Sequence, residues 1–153
     1  MDRTPPDPAD AAAADPARLR AAESFIAGLP HSRALGMRVE AMGAGMAELS
    51  MPWAPHLVGD PRTGVIHGGA VSALMDTSGG AAVLSHPTGA AGTATMDLRI
   101  DYMRAATPGQ TVRARAVCHH VTRSVAFVRA EASDDEGVLA VANGAFTLDR
   151  RGS

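Results

Sequence analysis

Hydrophobic and polar positions alternate with two different periods along this chain. From Pro16 to Leu29, the apolar residues Leu19, Ala22, Phe25, Ile26 and Leu29 recur at helical spacing, and Pro30 ends the run. "HSRALG" allows one more turn before Gly36. In "MRVEAMGAGMAELSMPW", Ala47, Leu49 and Met51 alternate with Glu48 and Ser50, which predicts a strand with a bend or bulge at Gly43 and Gly45. "APHLVGDPRTG" reads as a loop. "GVIHGGAVSALMDTSGGAAV", residues 64–83, then predicts a long apolar helix ending near Ser85. After the loop "HPTGAAG" the period becomes two. In "TATMDLRIDYM", Met96, Leu98, Ile100 and Tyr102 share one face, and Thr95, Asp97, Arg99 and Asp101 share the other. "TVRARAVCHHV", "VAFVRAEA" and "VLAVANGAFTL" follow as strands, separated by "TRS" and "SDDEG". The predicted order is one strand, one long helix and four strands. That is a two-layer α+β domain, a five-stranded antiparallel sheet burying its apolar face on the helix. Gly79, Gly80, Ala81 and Ala82 would let the sheet come close.

Composition narrows the classes. With 153 residues the chain suits one domain with one core. A net charge of −2 argues against a nucleic-acid partner. All 14 basic residues are arginine, which excludes Schiff-base lysine chemistry. Cys118 is the one cysteine, so no intrachain disulfide forms, and a reducing cytoplasmic setting is expected. No apolar run approaches the ~20 residues of a membrane helix. Residues 1–15 carry Asp2, Asp7, Asp10 and Asp15, and four prolines fall by residue 16. They read as a disordered arm, with no positive start or apolar block of a signal peptide.

Several candidate chemistries fail on geometry. Cys118 and His119 are consecutive strand residues and should point to opposite faces, as should His119 and His120. No cluster has metal-ligand spacing, and no G-x-S-x-G elbow or phosphate loop is present. Ser72 and Asp76 can touch on one helix, but no histidine base shares their face. Two features remain. Gly68 and Gly69 open the helix, where unpaired N–H groups could meet an anion or an oxygen becoming one; equally, they could form only a tight turn. Asp76 sits within the apolar helix as a possible base or nucleophile, or as an acid at a wet edge. Eight residues separate Gly68 from Asp76, roughly 12 Å along a helix. One small reacting group cannot contact both on one helix, so if both are catalytic the protein is at least a dimer.

"GVIHGGAVSALMDTSGGAA" followed by "TMDLRIDYMRAATPG" resembles the hotdog-fold acyl-CoA thioesterases of the phenylacetate-pathway (PaaI-like) group, over about residues 30–148. The resemblance implies a single hotdog domain over 16–150, a homodimer or dimer of dimers, an acyl-CoA substrate and no cofactor. It implies that the Gly68 N–H polarises the thioester carbonyl, with Gly69 beside the substrate. Asp76, from the partner subunit, is the general base or nucleophile. Thr95 assists the acid or its water, and His67 holds the loop shape. Relatives often carry an asparagine in the preceding loop. Here the stretch is "GDPRTG", with Asp60 or Arg62 as stand-ins. Arg104 and Arg123, near strand ends, are candidates for the coenzyme A phosphates. A hotdog dehydratase or hydratase and a non-catalytic acyl-CoA binder are the rival readings.

Overall fold

A computed structural model describes residues 16–150 of the chain. The predicted acidic arm lies outside them. Helix α1 (Pro16–Gly28) begins on a proline and is followed by the short α2 (Pro30–Ala34), which also starts on one. Proline suits the first helical turn because the N–H it lacks would be unpaired there. Ile26 buries the inner side of α1, while Phe25 stays half in water.

The first predicted strand is instead a hairpin, β1 (Arg38–Gly43) and β2 (Met46–Met51). Gly43 pairs with Met46, so Ala44 and Gly45 are a two-residue loop, with φ of 50° and 83°. Positive φ at both loop positions matches the right-handed twist of the strands. The sheet therefore has six strands where five were expected. The following loop holds a 3-10 turn (Pro55–Leu57) and the short pair β3 (Val58–Asp60) and β4 (Val65–Ile66).

The predicted long helix is α3 (Gly68–Leu84), capped by Ser85. Strand β5 (Ala90–Gly92) comes next. The long antiparallel strands are β6 (Thr95–Tyr102), β7 (Val112–Val121), β8 (Val125–Asp134) and β9 (Gly137–Thr147). The terminal β10 (Asp149–Arg150) pairs with β5. The main sheet runs β1-β2-β7-β8-β9-β6. Its inner face is built from alanine: Ala47, Ala116, Ala130 and Ala142 form one cross-strand row. All are buried, as are Leu74 and Met75 of α3, which lie over the sheet. Gly79 allows the closest approach. A Cβ there would lie 2.6 Å from Phe146 Cζ.

Strand β6 departs from its predicted half-buried character. Leu98 and Ile100 are partly covered, but Met96 is 59% and Tyr102 47% exposed. The reason is position. β6 pairs only with β9, so its other edge is open. No helix among the described residues is long and apolar enough to cross a membrane.

Candidate active site

The N-terminus of α3 is fixed from several sides. The His67 N–H donates to Leu57 O at 2.8 Å. Gly59 permits this crossing, because a Cβ there would sit 2.8 Å from His67 Cα. His67 is the N-cap, its Nδ1 accepting from the Gly69 N–H at 2.8 Å. An Nδ1 that accepts places the ring proton on Nε2. Ala70 N–H donates to His67 O at 2.9 Å. Gly69 and Ala70 thus spend their donors inside the turn, and the exposed Gly68 N–H has no acceptor among the described residues. The sequence could not distinguish these two glycines; the cap does.

Tyr102, which sequence reasoning passed over, anchors the same point. Its hydroxyl donates to Gly68 O at 2.7 Å and also contacts Ser72 Oγ. Ser72 Oγ donates to Gly68 O at 3.1 Å, so it is a brace for the helix start. A single tyrosine ending an amphipathic strand was the available signal.

Asp76 is half-buried, two turns further along α3. Thr95 Oγ1, at the start of β6, donates to Asp76 Oδ1 at 2.6 Å. This bond fixes one carboxylate oxygen. Both residues open into a cleft of about 330 Å³ walled by Phe25, Ile26, Leu29, Ala81 and Phe146. No histidine lines that cleft. The structure therefore brings together Asp76 with Thr95, and separately Gly68 with Gly69, His67 and Tyr102. It does not bring the two groups together within one chain.

The other predicted contacts fall elsewhere. Asp60 accepts from the Arg62 N–H at 3.0 Å and Nε at 3.3 Å, while its carbonyl receives the N–H of Thr63 and Gly64. The Arg62 bonds hold the Asp60 carboxyl below its ordinary value. The pair closes the β3–β4 turn, and Trp53 Nε1 secures it by donating to Gly64 O at 2.9 Å. Arg104 is committed to structure. Its guanidinium donates to both oxygens of the buried Asp134 and to Gly137 O. The Arg104 guanidinium and the Thr107 and Glu136 N–H groups hold the Asp134 carboxyl well below the usual carboxylate range. Arg123 stays exposed in the β7–β8 turn. That turn lies at the Thr95 end of the sheet, since Ala126 pairs with Phe146 and Phe146 with Thr95. Cys118 is buried, and burial pushes its thiol up. A bulge between Cys118 and His120 leaves both His119 and His120 exposed. Among the described residues no three His, Cys, Asp or Glu converge as metal ligands.

Comparison with known proteins agrees with this fold. The model of the Thioesterase superfamily matches residues 63–141, which span α3, strands β5 to β8 and the start of β9. The medium/long-chain acyl-CoA thioesterase YigI of Escherichia coli is 29% identical over 129 residues, covering 74% of this chain and 81% of YigI. A Pseudomonas aeruginosa protein of known structure is 37% identical, with a TM-score of 0.75 over 84% of this chain and 97% of that one. A variant of the phenylacetic acid degradation protein PaaI from Thermus thermophilus is 27% identical. Its TM-score is 0.70, over 78% of this chain and 99% of that one.

Proposed function

We propose that this chain, which belongs to the thioesterase superfamily and is a thioester hydrolase, cleaves acyl-CoA to free acid and coenzyme A in a site shared by two subunits. Asp76 takes a proton from the attacking water, or itself attacks the carbonyl carbon. Negative charge develops on the carbonyl oxygen, and the unspent Gly68 N–H at the positive end of α3 receives it. The C–S bond then breaks and the thiolate leaves; a proton held by Asp76 passes to the thiolate, and where Asp76 itself attacked, a water hydrolyses the mixed anhydride to free acid and restores the carboxylate. Thr95 holds Asp76 in one orientation, and His67 and Tyr102 hold the Gly68 peptide.

The observation that carries this reading is the open edge of β6. Its two ends serve the two half-sites, Thr95 touching Asp76 and Tyr102 touching Gly68. A second copy pairing antiparallel across this edge, with its two-fold axis near the middle of β6, brings the Thr95 end of one copy beside the Tyr102 end of the other. The same step covers an unpaired edge and the exposed Met96. Each Asp76 is thereby brought toward the other chain's Gly68, which one helix holds roughly 12 Å away. Arg123 remains the candidate for the coenzyme A phosphates; Arg104, already paired, does not. Within one chain no histidine lines the Asp76 cleft, so the hydratase reading would have to draw its histidine from the partner, where His67 already accepts from the Gly69 N–H as the helix cap.

Subunit mixing tests the arrangement. Asp76→Asn removes the base. Gly68→Pro removes the donor at a first-turn position where proline is accepted. His67 already has φ −60° and ψ 131°, as a residue before proline requires, and nothing lies nearer than 3.9 Å to a Cβ at residue 68. Each variant alone is inactive by free-thiol release from acyl-CoA. Refolded together, about half the dimers are mixed and one site in two is intact, so roughly a quarter of wild-type activity returns. No recovery from demonstrably mixed dimers rejects the shared site. No thiol release by wild type from any acyl-CoA rejects the hydrolase reading in favour of a binder.

A further inference from the structure

Two clefts meet at the far end of α3. The first, about 330 Å³, begins at Asp76 and Thr95. The second, about 340 Å³, is lined by Ala21, Met42, Ser85 and His86. Phe25 and Leu84 are the residues they share. Asp76, Gly80 and Leu84 lie four apart on α3, so they form one stripe along the first cleft. Gly80 is its floor. A Cβ there would meet only Thr93 Cγ2, at 3.8 Å, so the missing side chain leaves real space.

We propose that the acyl chain of the substrate runs from Asp76 over Gly80, and that the Phe25 ring is the wall that sets the longest acyl group accepted. This rests on the acyl-CoA hydrolase reading and adds a specificity determinant to it. The length follows from the geometry. Asp76 to Leu84 is eight residues, about 12 Å along the helix. An all-trans chain of ~1.5 Å C–C bonds advances about 1.25 Å per carbon. A chain starting at the carboxylate therefore reaches Leu84 and Phe25 after about ten carbons. Phe25 is 52% exposed on α1, so the core does not depend on it, and its removal joins the two clefts. The enlarged groove then shelters further methylenes, each raising kcat/KM about fourfold if fully taken out of water.

The test is kcat/KM for saturated acyl-CoAs of four to sixteen carbons, kept below their micellar concentrations. Wild type should improve with length to about ten carbons and then level or fall. Phe25→Ala should continue to improve, raising the fourteen-to-eight-carbon ratio at least about tenfold while six-carbon substrate changes little. Adding Ala21→Phe refills the second cleft and should restore the wild-type profile. Superimposable profiles for wild type and Phe25→Ala, an equal loss at every length, or a wild-type optimum at sixteen carbons overturns the inference while leaving the hydrolase reading intact. Absence of hydrolysis by wild type at all lengths overturns both.

Discussion

Gly79 and Gly80 are neighbours in the middle of α3, yet replacing each with alanine should change stability in opposite directions. Either replacement removes the same helix penalty, about 0.8–1.0 kcal/mol for glycine relative to alanine. At Gly80 that gain stands nearly alone, because the new methyl group would lie 3.8 Å from its nearest neighbour. Gly80→Ala should therefore stabilise by about 0.5–1 kcal/mol. At Gly79 the methyl group would sit 2.6 Å from Phe146 Cζ and 3.2 Å from Cε2. Phe146 is fully buried, so its ring has no open space to swing into. Overpacking of this kind costs roughly 2–3 kcal/mol, which exceeds the helix gain and leaves Gly79→Ala about 1–2 kcal/mol less stable. Urea unfolding at one fixed protomer concentration measures both, since the proposed assembly would make apparent stability concentration-dependent. The midpoints should move apart with unchanged slopes. A stabilised Gly79→Ala, or two shifts of the same sign, would refute the claim that Phe146 dictates this glycine.

Thr95→Val should lower kcat about 10–100-fold with little change in KM, because a hydrogen bond to a charged group contributes about 1.5–3 kcal/mol; Thr95→Ser should recover most of it. His67→Ala should cost about 1 kcal/mol as a lost cap and reduce activity through the displaced Gly68 peptide, whereas His67→Asn should keep the cap. The native Asp134 carboxyl lies below its unfolded value, so its contribution is present at neutral pH and is lost as pH falls through the acid range below about 5. Asp134→Asn should accordingly lower the melting temperature at pH 7, and the gap from wild type should narrow toward about pH 2.

Much of the fold was legible because periodicity reports burial directly. The period-two runs of β7, β8 and β9 and the apolar block of α3 lie where the sequence predicts them. The β1–β2 hairpin was missed because its loop is Ala44-Gly45, and alanine at φ 50° carries none of the asparagine or glycine signal such a turn usually gives. The site was legible in part. Gly68 and Asp76 stood out in the helix pattern and Thr95 only through the family resemblance, but the cap that spends Gly69 and spares Gly68 depends on where the His67 ring lies. Arg104 and Asp134 are 30 residues apart and meet only through the turns after β6 and β8. No local pattern marks such a pair.

Strand β6 exposes the deeper limit of reading periodicity. Met96, Leu98, Ile100 and Tyr102 alternate as if all faced one core, yet the single chain covers only the middle two. Apolar alternation records which positions avoid water in the working protein, not which surface they avoid it against. An exposed apolar edge is a liability unless something closes it. Here the same edge carries Thr95 and Tyr102, the residues that hold Asp76 and the Gly68 peptide. Closing that edge with a second copy would satisfy both requirements at once. It would give the half-buried Asp76 a purpose in its apolar helix: a base facing a donor that its own chain holds too far away.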